Sequence, residues 1–468
     1  MPKKKKTTRK KGRRTRIKSR KSVSRKPTRK RVKRALRRTS ASFPLKKPKG
    51  TFDILPEEEK YWQLIRENSE EIAKLYGFKR IDVPIFEQRE LFERGVGPDT
   101  DIVEKELYTF KDKSGREYAL RPEFTASIVR AYIENGMHKW PQPIKLFAIG
   151  PLFRYDRPQK GRYRQFYQFN LEVIGSIDPL IDAELIKVVL RIYETFGLEA
   201  LNLEINSIGC AKCRPEYIKI LKDYYKIHTR SLCRDCKRRL KTNPLRLLDC
   251  KEDKCSQLAN RAPSMVDNLC DDCHIHFKKV LEYLDELGIG YNLNTRLVRG
   301  LDYYTKTVFE IWPKGVMGFS SQNSLGGGGR YDLLVKELGG KEMPAVGFAG
   351  GIERTIEEMK RQEVMIKEEK PDVFLAQIGD GGKKRALRFY DELIEAGFNV
   401  SANFSKDSIK SQLRLADKEG VKWSLIIGQK EAIDKTVIFR NMESGMQEII
   451  DQGKAIKELK KRIKKESI

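Results

Sequence analysis

Residues 145–174 read Lys145-Leu-Phe-Ala-Ile-Gly-Pro-Leu-Phe-Arg154-Tyr-Asp-Arg-Pro-Gln-Lys-Gly-Arg162-Tyr-Arg-Gln-Phe-Tyr-Gln168-Phe-Asn-Leu-Glu172-Val-Ile174. Two strand-like runs, 145–154 and 163–174, flank a polar, turn-rich connection, Arg157-Pro158-Gln159-Lys160-Gly161-Arg162, and predict a strand pair. The period of two puts Arg164, Gln168, Asn170 and Glu172 on one face of the second strand and Tyr167, Phe169, Leu171 and Val173 on the other. One face packs a core and the other presents a row of polar groups. An exposed sheet surface shows the same alternation, but Arg154, Gln168 and Glu172 together read as a ligand floor.

Other elements extend outward from this pair. Near-helical spacing of Tyr61, Leu64, Ile65, Ile72, Leu75 and Tyr76 predicts a helix over 57–76, with a strand after it at 79–85. Residues 107–110 and 117–121 read as strands around the turn Asp112-Lys113-Ser114-Gly115. A strand pattern returns at 305–312, before four consecutive glycines, Gly326–Gly329, that let the backbone approach a ligand closely. Residues 362–371 are charged and linker-like. Beyond them strands at 373–378, 399–404, 423–427 and 436–440 alternate with helices at 383–396 and 407–419, a small α/β unit.

The net charge of +30 is uneven. Residues 1–47 hold 24 Lys or Arg and no Asp or Glu, so the other 421 residues carry a net +6. That segment cannot bury enough apolar surface to offset its ordering entropy, and is expected to be a disordered basic tail. Its charge suits phosphate backbones; a targeting or a solvating arm is the alternative. It lacks both the apolar core of a secretory signal and the apolar stripe of a transit peptide, and no apolar run in the chain is long enough for a membrane span. All eight cysteines fall between Cys210 and Cys273: Cys210/Cys213, Cys233/Cys236, Cys250/Cys255 and Cys270/Cys273. Such close pairs fit two tetrahedral zinc sites of four thiolates each, with His274 and His276 as possible substitutes; reduced thiols without metal are the alternative.

Neither standard phosphate-binding glycine signature is present, so a nucleotide site must be built from arginines and sheet residues. Arg121-Pro122-Glu123, Phe153-Arg154-Tyr155-Asp156-Arg157 and Gly351-Ile352-Glu353-Arg354 supply such parts. In that order they resemble segments of class II aminoacyl-tRNA synthetases, the last two that class's second and third motifs. With Lys49–Asp53, Arg299-Gly300-Leu301-Asp302-Tyr303-Tyr304-Thr305 and Gly328–Asp332, the set resembles the histidyl-tRNA synthetase family over roughly residues 48–455.

The resemblance implies an α/β chain with an α+β catalytic core: a six- or seven-stranded antiparallel sheet flanked by helices, a helical cysteine-rich insertion and a C-terminal α/β anticodon-binding domain. The boundaries expected are 48–206 and 286–364 for the catalytic unit, 207–285 for the insertion and 371–468 for the last domain. It further implies ATP-dependent ligation of L-histidine to the histidine tRNA through histidyl-adenylate, with Mg2+, in a cytoplasmic homodimer whose interface is built from 57–76 and 79–85, including Pro84. By family position Arg154 grips the α-phosphate, Arg354 the γ-phosphate and adenine, and Arg299 the α-phosphate beside the histidine carboxylate; Asp156 and Arg162 complete the ATP site. Glu123, Thr125 and Gln168 would accept from the α-amino group, Glu172 and Tyr304 would pair the imidazole, and Tyr303 would line the pocket. Phe124 stands where relatives frequently have a small residue. Catalytically silent regulatory subunits of a histidine-biosynthesis enzyme are similar but lack the C-terminal domain and parts of the Arg299–Tyr304 segment; this chain has both. Tyr303, Tyr304 and Glu172 argue against a synthetase for another amino acid.

Overall fold

A computed structural model of the chain describes residues 45–98, 100–158, 161–315, 324–367 and 370–465. All but the last three residues of the predicted tail lie outside them. The first part comprises α1 (Pro56–Leu75), β1 (Lys79–Arg80), β2 (Phe86–Gln88), α2 (Arg89–Val96), β3 (Thr109–Lys111), β4 (Glu117–Leu120), α3 (Thr125–Glu134), β5 (Ile144–Phe153), β6 (Gln165–Ile174), α4 (Pro179–Thr195) and β7 (Leu201–Ser207). Helices α5 (Arg214–Ile227), α6 (Arg234–Thr242), α7 (Asp253–Ala259) and α8 (Asp271–Glu286) follow, then β8 (Asn292–Leu293), β9 (Thr305–Pro313), β10 (Gly326–Arg330), α9 (Leu334–Glu337), β11 (Ala345–Gly351) and α10 (Ile352–Arg361). The chain ends with β12 (Val373–Gln377), α11 (Gly379–Glu395), β13 (Val400–Ala402), α12 (Ile409–Lys418), β14 (Trp423–Ile427), α13 (Gln429–Asp434), β15 (Thr436–Asn441), β16 (Gln447–Asp451) and α14 (Gln452–Lys465).

The main sheet runs β1-β5-β6-β11-β10-β9-β7-β8. Its six central strands are antiparallel, and a two-residue strand pairs parallel at each edge. One face is covered by α1, α4, α8 and α10. Trp62, Ile65, Ile186, Val189, Phe277 and Met359 pack there on Phe169, Leu171, Phe309 and Phe348. Helix α1 starts cleanly because Pro56 needs no N–H partner and Glu57, Glu58 and Glu59 meet the positive end of the helix dipole. The opposite face of the sheet stays open as a cleft.

The strand predicted over 79–85 pairs only at Lys79–Arg80. Beyond it, Pro84 has no N–H to give, and the carbonyls of Val83 and Pro84 accept from the buried guanidinium of Arg121 at 2.6 and 3.3 Å. The hairpin at 107–121 forms, but joins β2 in a separate three-stranded sheet. The C-terminal sheet, β13-β12-β14-β15-β16, has three parallel strands and an antiparallel hairpin, with apolar clusters on both faces. The final strand and helix, 447–465, were not read from the sequence.

Candidate active site

The row of polar residues on β6 becomes a trough because its neighbours have almost no side chains. Gln168 is flanked by Gly150 on β5 and Gly351 on β11, and Asn170 by Ala148 and Ala349. On β11 alternation puts Ala345, Gly347, Ala349 and Gly351 on this one face. Beyond it, Gly327 of the glycine run pairs with Ala349 on one side and Glu310 on the other. The glycines thus form a central strand rather than a loop. Residues of β6 and β9–β11, the segments 101–106 and 294–304 and part of the insertion line a cleft of about 480 Å³. Glu123, Thr125, Arg154, Asp156, Arg162, Gln168, Arg299, Tyr303, Tyr304 and Arg354 all line it.

Glu172 lies just beneath, 0% exposed. Its carboxylate accepts from Thr125 Oγ1 at 2.6 Å, from the Tyr331 hydroxyl and, more weakly, from Asn170 at 3.4 Å. Burial pushes its carboxyl up to about 8. Tyr303 packs on Tyr304 and Tyr331, ring centroids 4.7 and 5.6 Å apart. Glu123 accepts from the backbone N–H of Thr125 and Ala126 at 2.6 and 2.9 Å, which anchors the start of α3. Each of its oxygens keeps a lone pair for a further donor. Phe124 turns away into the core under the Arg121 guanidinium, 4.4 Å from its ring centre, and leaves its two neighbours in the cleft.

The arginines of the cleft are held by carbonyls and carboxylates. Arg154 Nε donates to Pro122 O at 2.9 Å, with the guanidinium over Phe166. Arg162 pairs with Asp156. Arg354 donates to Ser324 O at 3.0 Å and Gly161 O at 3.3 Å. Arg299 forms a buried ion pair with Glu310, which also accepts from Trp312 Nε1 at 3.1 Å. The guanidinium fills the space that a side chain at Gly327 would take. Glu310 and Tyr331 were missed as site residues. The alternation Val308, Glu310, Trp312 was the available signal for the first, and the polar tip of Tyr331 gave none.

The eight cysteines meet as two clusters. Cys210, Cys213, Cys270 and Cys273 form one, and Cys233, Cys236, Cys250 and Cys255 the other, each with all its sulfurs within 4.8 Å of one another. The outermost pairs therefore join each other, and so do the inner ones. Each cluster could hold a metal ion. Neither histidine belongs to one: His276 Nε2 instead lies 3.4 Å from the buried Asp182, which also holds Arg330.

An antiparallel sheet with helices on one face and, on the other, an arginine-lined cleft without a phosphate-binding glycine loop defines the catalytic unit of a class II aminoacyl-tRNA synthetase. The family model of histidyl-tRNA synthetase matches residues 50–355, and that of an anticodon binding domain matches 372–462. The histidine--tRNA ligase of Dehalococcoides mccartyi is 47% identical over 417 residues, 89% of this chain and 99% of the relative. That of Desulforamulus reducens is 46% identical over 403 residues, 86% and 96%. The solved structure of apo S. aureus histidyl-tRNA synthetase is similar with a TM-score of 0.75 at 37% identity, covering 89% of this chain and all of that one. The chain belongs to the histidyl-tRNA synthetase family.

Proposed function

We propose that this chain ligates L-histidine to the 3′ end of the histidine tRNA in two steps. A carboxylate oxygen of histidine attacks the α-phosphorus of ATP, which enters with Mg2+. The bond to the leaving pyrophosphate breaks and histidyl-adenylate forms. The terminal adenosine 3′-hydroxyl of the tRNA then attacks the acyl carbon and AMP leaves. The observation that carries this reading is Glu172, buried beneath a cleft that Arg154, Arg162, Arg299 and Arg354 line. Guanidinium groups suit phosphoryl oxygens, and a buried hydrogen-bonding site rejects a side chain that leaves it unpaired.

In this reading Arg154 and Arg299 hold the α-phosphate, Arg354 the γ-phosphate and adenine, and Asp156 and Arg162 flank the nucleotide. Glu123, Thr125 and Gln168 accept from the ammonium group, Glu172 and Tyr304 pair the imidazole, and Tyr303 walls the ring. Residues 48–206 and 286–364 make the catalytic unit, 207–285 the insertion, and 371–468 reads the anticodon. Each cysteine cluster holds structural Zn2+. Pyrophosphate exchange across the twenty amino acids tests the core of this reading: histidine alone supports exchange, and exchange with a different amino acid, or with none, overturns it.

The same reading makes the chain a cytoplasmic homodimer. No helix among the described residues is long and apolar enough to cross a membrane. An exposed aromatic group on the small sheet supports an interface: Phe86 and Phe110 are 50% and 42% exposed, and both pack against Tyr118. Sedimentation of the Phe86→Asp/Phe110→Asp variant should show monomers.

A further inference from the structure

We propose that the two four-cysteine clusters are zinc sites with separate duties, the outer one holding Tyr304 and the inner one holding Arg299. The geometry favours metal over disulfides. Sulfurs 2.3 Å from a tetrahedral ion stand about 3.8 Å apart, against ~2.05 Å in a disulfide. Here Cys210 and Cys270 are 3.8 Å apart, and Cys210–Cys213, Cys213–Cys273 and Cys233–Cys250 are each 3.9 Å apart. Backbone N–H groups point at the sulfurs as they would at thiolates: Cys236 N at Cys233 Sγ, 3.3 Å, and Cys233 N at Cys255 Sγ, 3.2 Å.

The outer site, Cys210/Cys213/Cys270/Cys273, ties the end of β7 to the start of α8, the two roots of the helical insertion. Arg214, beside Cys213, donates to the carbonyls of Ile208 and Gly209 at 3.2 Å each and of Tyr304 at 2.5 Å. A loosened knuckle would release the backbone that aims Tyr304.

The inner site, Cys233/Cys236/Cys250/Cys255, closes the segment that contains α6 and residues 243–249. Arg246, Leu248 and Asp249 of that segment line the cleft. The segment braces both sides of Arg299 in the chain. Arg296 donates to Leu248 O at 3.3 Å, and Asn243 Nδ2 donates to Asp302 Oδ1 at 2.8 Å. Arg238 and Arg239 of α6 dock it on Glu104 and Asp101 at 2.8 and 3.2 Å.

The division of duties rests on the synthetase reading; the presence of metal does not. Metal content of the full chain, purified from zinc-grown and cobalt-grown cells, should give two ions per chain and the absorption of tetrahedral tetrathiolate cobalt. A folded chain without metal overturns the proposal. Cys250→Ser/Cys255→Ser should lose one ion and slow histidine-dependent pyrophosphate exchange about 10–100-fold at saturating histidine, the scale of an ångström-sized misplacement. Cys270→Ser/Cys273→Ser should lose the other ion and act mainly by raising KM for histidine. Loss of one ion with both constants unmoved, or moved alike in the two variants, overturns the separate duties. Hydrogen exchange of the native chain before and after metal extraction decides the matter should the serine variants not fold. Protection should fall at 243–251 and 303–306, and unchanged protection overturns the role. A native chain that binds two ions but exchanges no pyrophosphate refutes the synthetase reading and leaves the metal sites standing.

Discussion

Thr125 donates from Oγ1 to Glu172 Oε1 at 2.6 Å, so a residue assigned to the substrate's amino group and one assigned to its ring are joined directly. Tyr331 engages the other oxygen, and Glu123, Tyr304 and Asn170 stand around it. Burial in this setting holds the Glu172 carboxyl near 8, far above its ordinary 4.5. Between those two values the folded chain binds a proton that the unfolded chain lacks. The stability contributed by neutral Glu172 is therefore full below about 4.5 and is lost as pH rises through about 8. Glu172→Gln should have a melting temperature that improves relative to the native chain between pH 6 and pH 9. An equal difference at both pH values would mean that the group is ionised throughout. The same variant should raise KM for histidine about 10–100-fold, the scale of one buried polar group left badly paired.

The guanidinium of Arg299 pairs with Glu310 and fills the space left by the missing side chain of Gly327. Arg299→Ala should slow adenylate formation ~10²–10³-fold, as removal of one preorganised contact to developing charge does elsewhere. Arg299→Lys should not restore it, because an ammonium cannot reproduce the planar fork. Glu310→Gln keeps an acceptor for Trp312 but removes the counter-charge. It should lower the single-turnover rate and leave KM for histidine nearly unchanged. A variant as fast as the native chain would show that Arg299 needs no such support.

Small residues on β11 hold volume open for the site. A methyl at Gly347 would collide with the Glu172 carboxylate, which cannot swing aside while Thr125 and Tyr331 hold it. At Gly351, on the same face of the same strand, a methyl would find only Leu325 O at 3.5 Å, an ordinary contact. Gly347→Ala should cost about 1–3 kcal/mol of stability and most of the histidine affinity, and Gly351→Ala no more than about 0.5 kcal/mol of stability. Chemical denaturation of the two variants side by side makes the comparison. Equal losses would refute the steric account.

How far the site was readable follows from how local each signal is. The pair β5 and β6, and the face that carries Gln168, Asn170 and Glu172, follow from strict alternation within single strands, and the structure has both. The glycine run gave no such signal. What Gly327 makes room for is the guanidinium of Arg299, a residue on a different segment, so its place as a central strand is a tertiary fact. The short β1 is of the same kind, since the carbonyls that would have continued its neighbourhood are taken by Arg121 from another strand's end. Cysteine spacing identified close pairs, but not that the first pair meets the last across sixty residues.

The basic segment 1–47 offers the last prediction. It holds 24 positive charges, no negative ones and a single aromatic residue, Phe43, so it can neutralise phosphates but has almost nothing to stack on bases. Phosphate contacts hold a nucleic acid without reading its sequence, and each one formed steepens the fall of affinity with salt. Deleting the segment should therefore weaken binding of the histidine tRNA and of an unrelated tRNA by a similar factor, and flatten the salt dependence of both. Histidine-dependent pyrophosphate exchange should be unchanged, because the residues assigned to histidine and ATP lie between Glu123 and Arg354. Affinities measured for both tRNAs at two salt concentrations make the test. A loss confined to the histidine tRNA would mean that the segment reads shape or sequence. No loss and no change of slope would leave it a targeting or solvating arm.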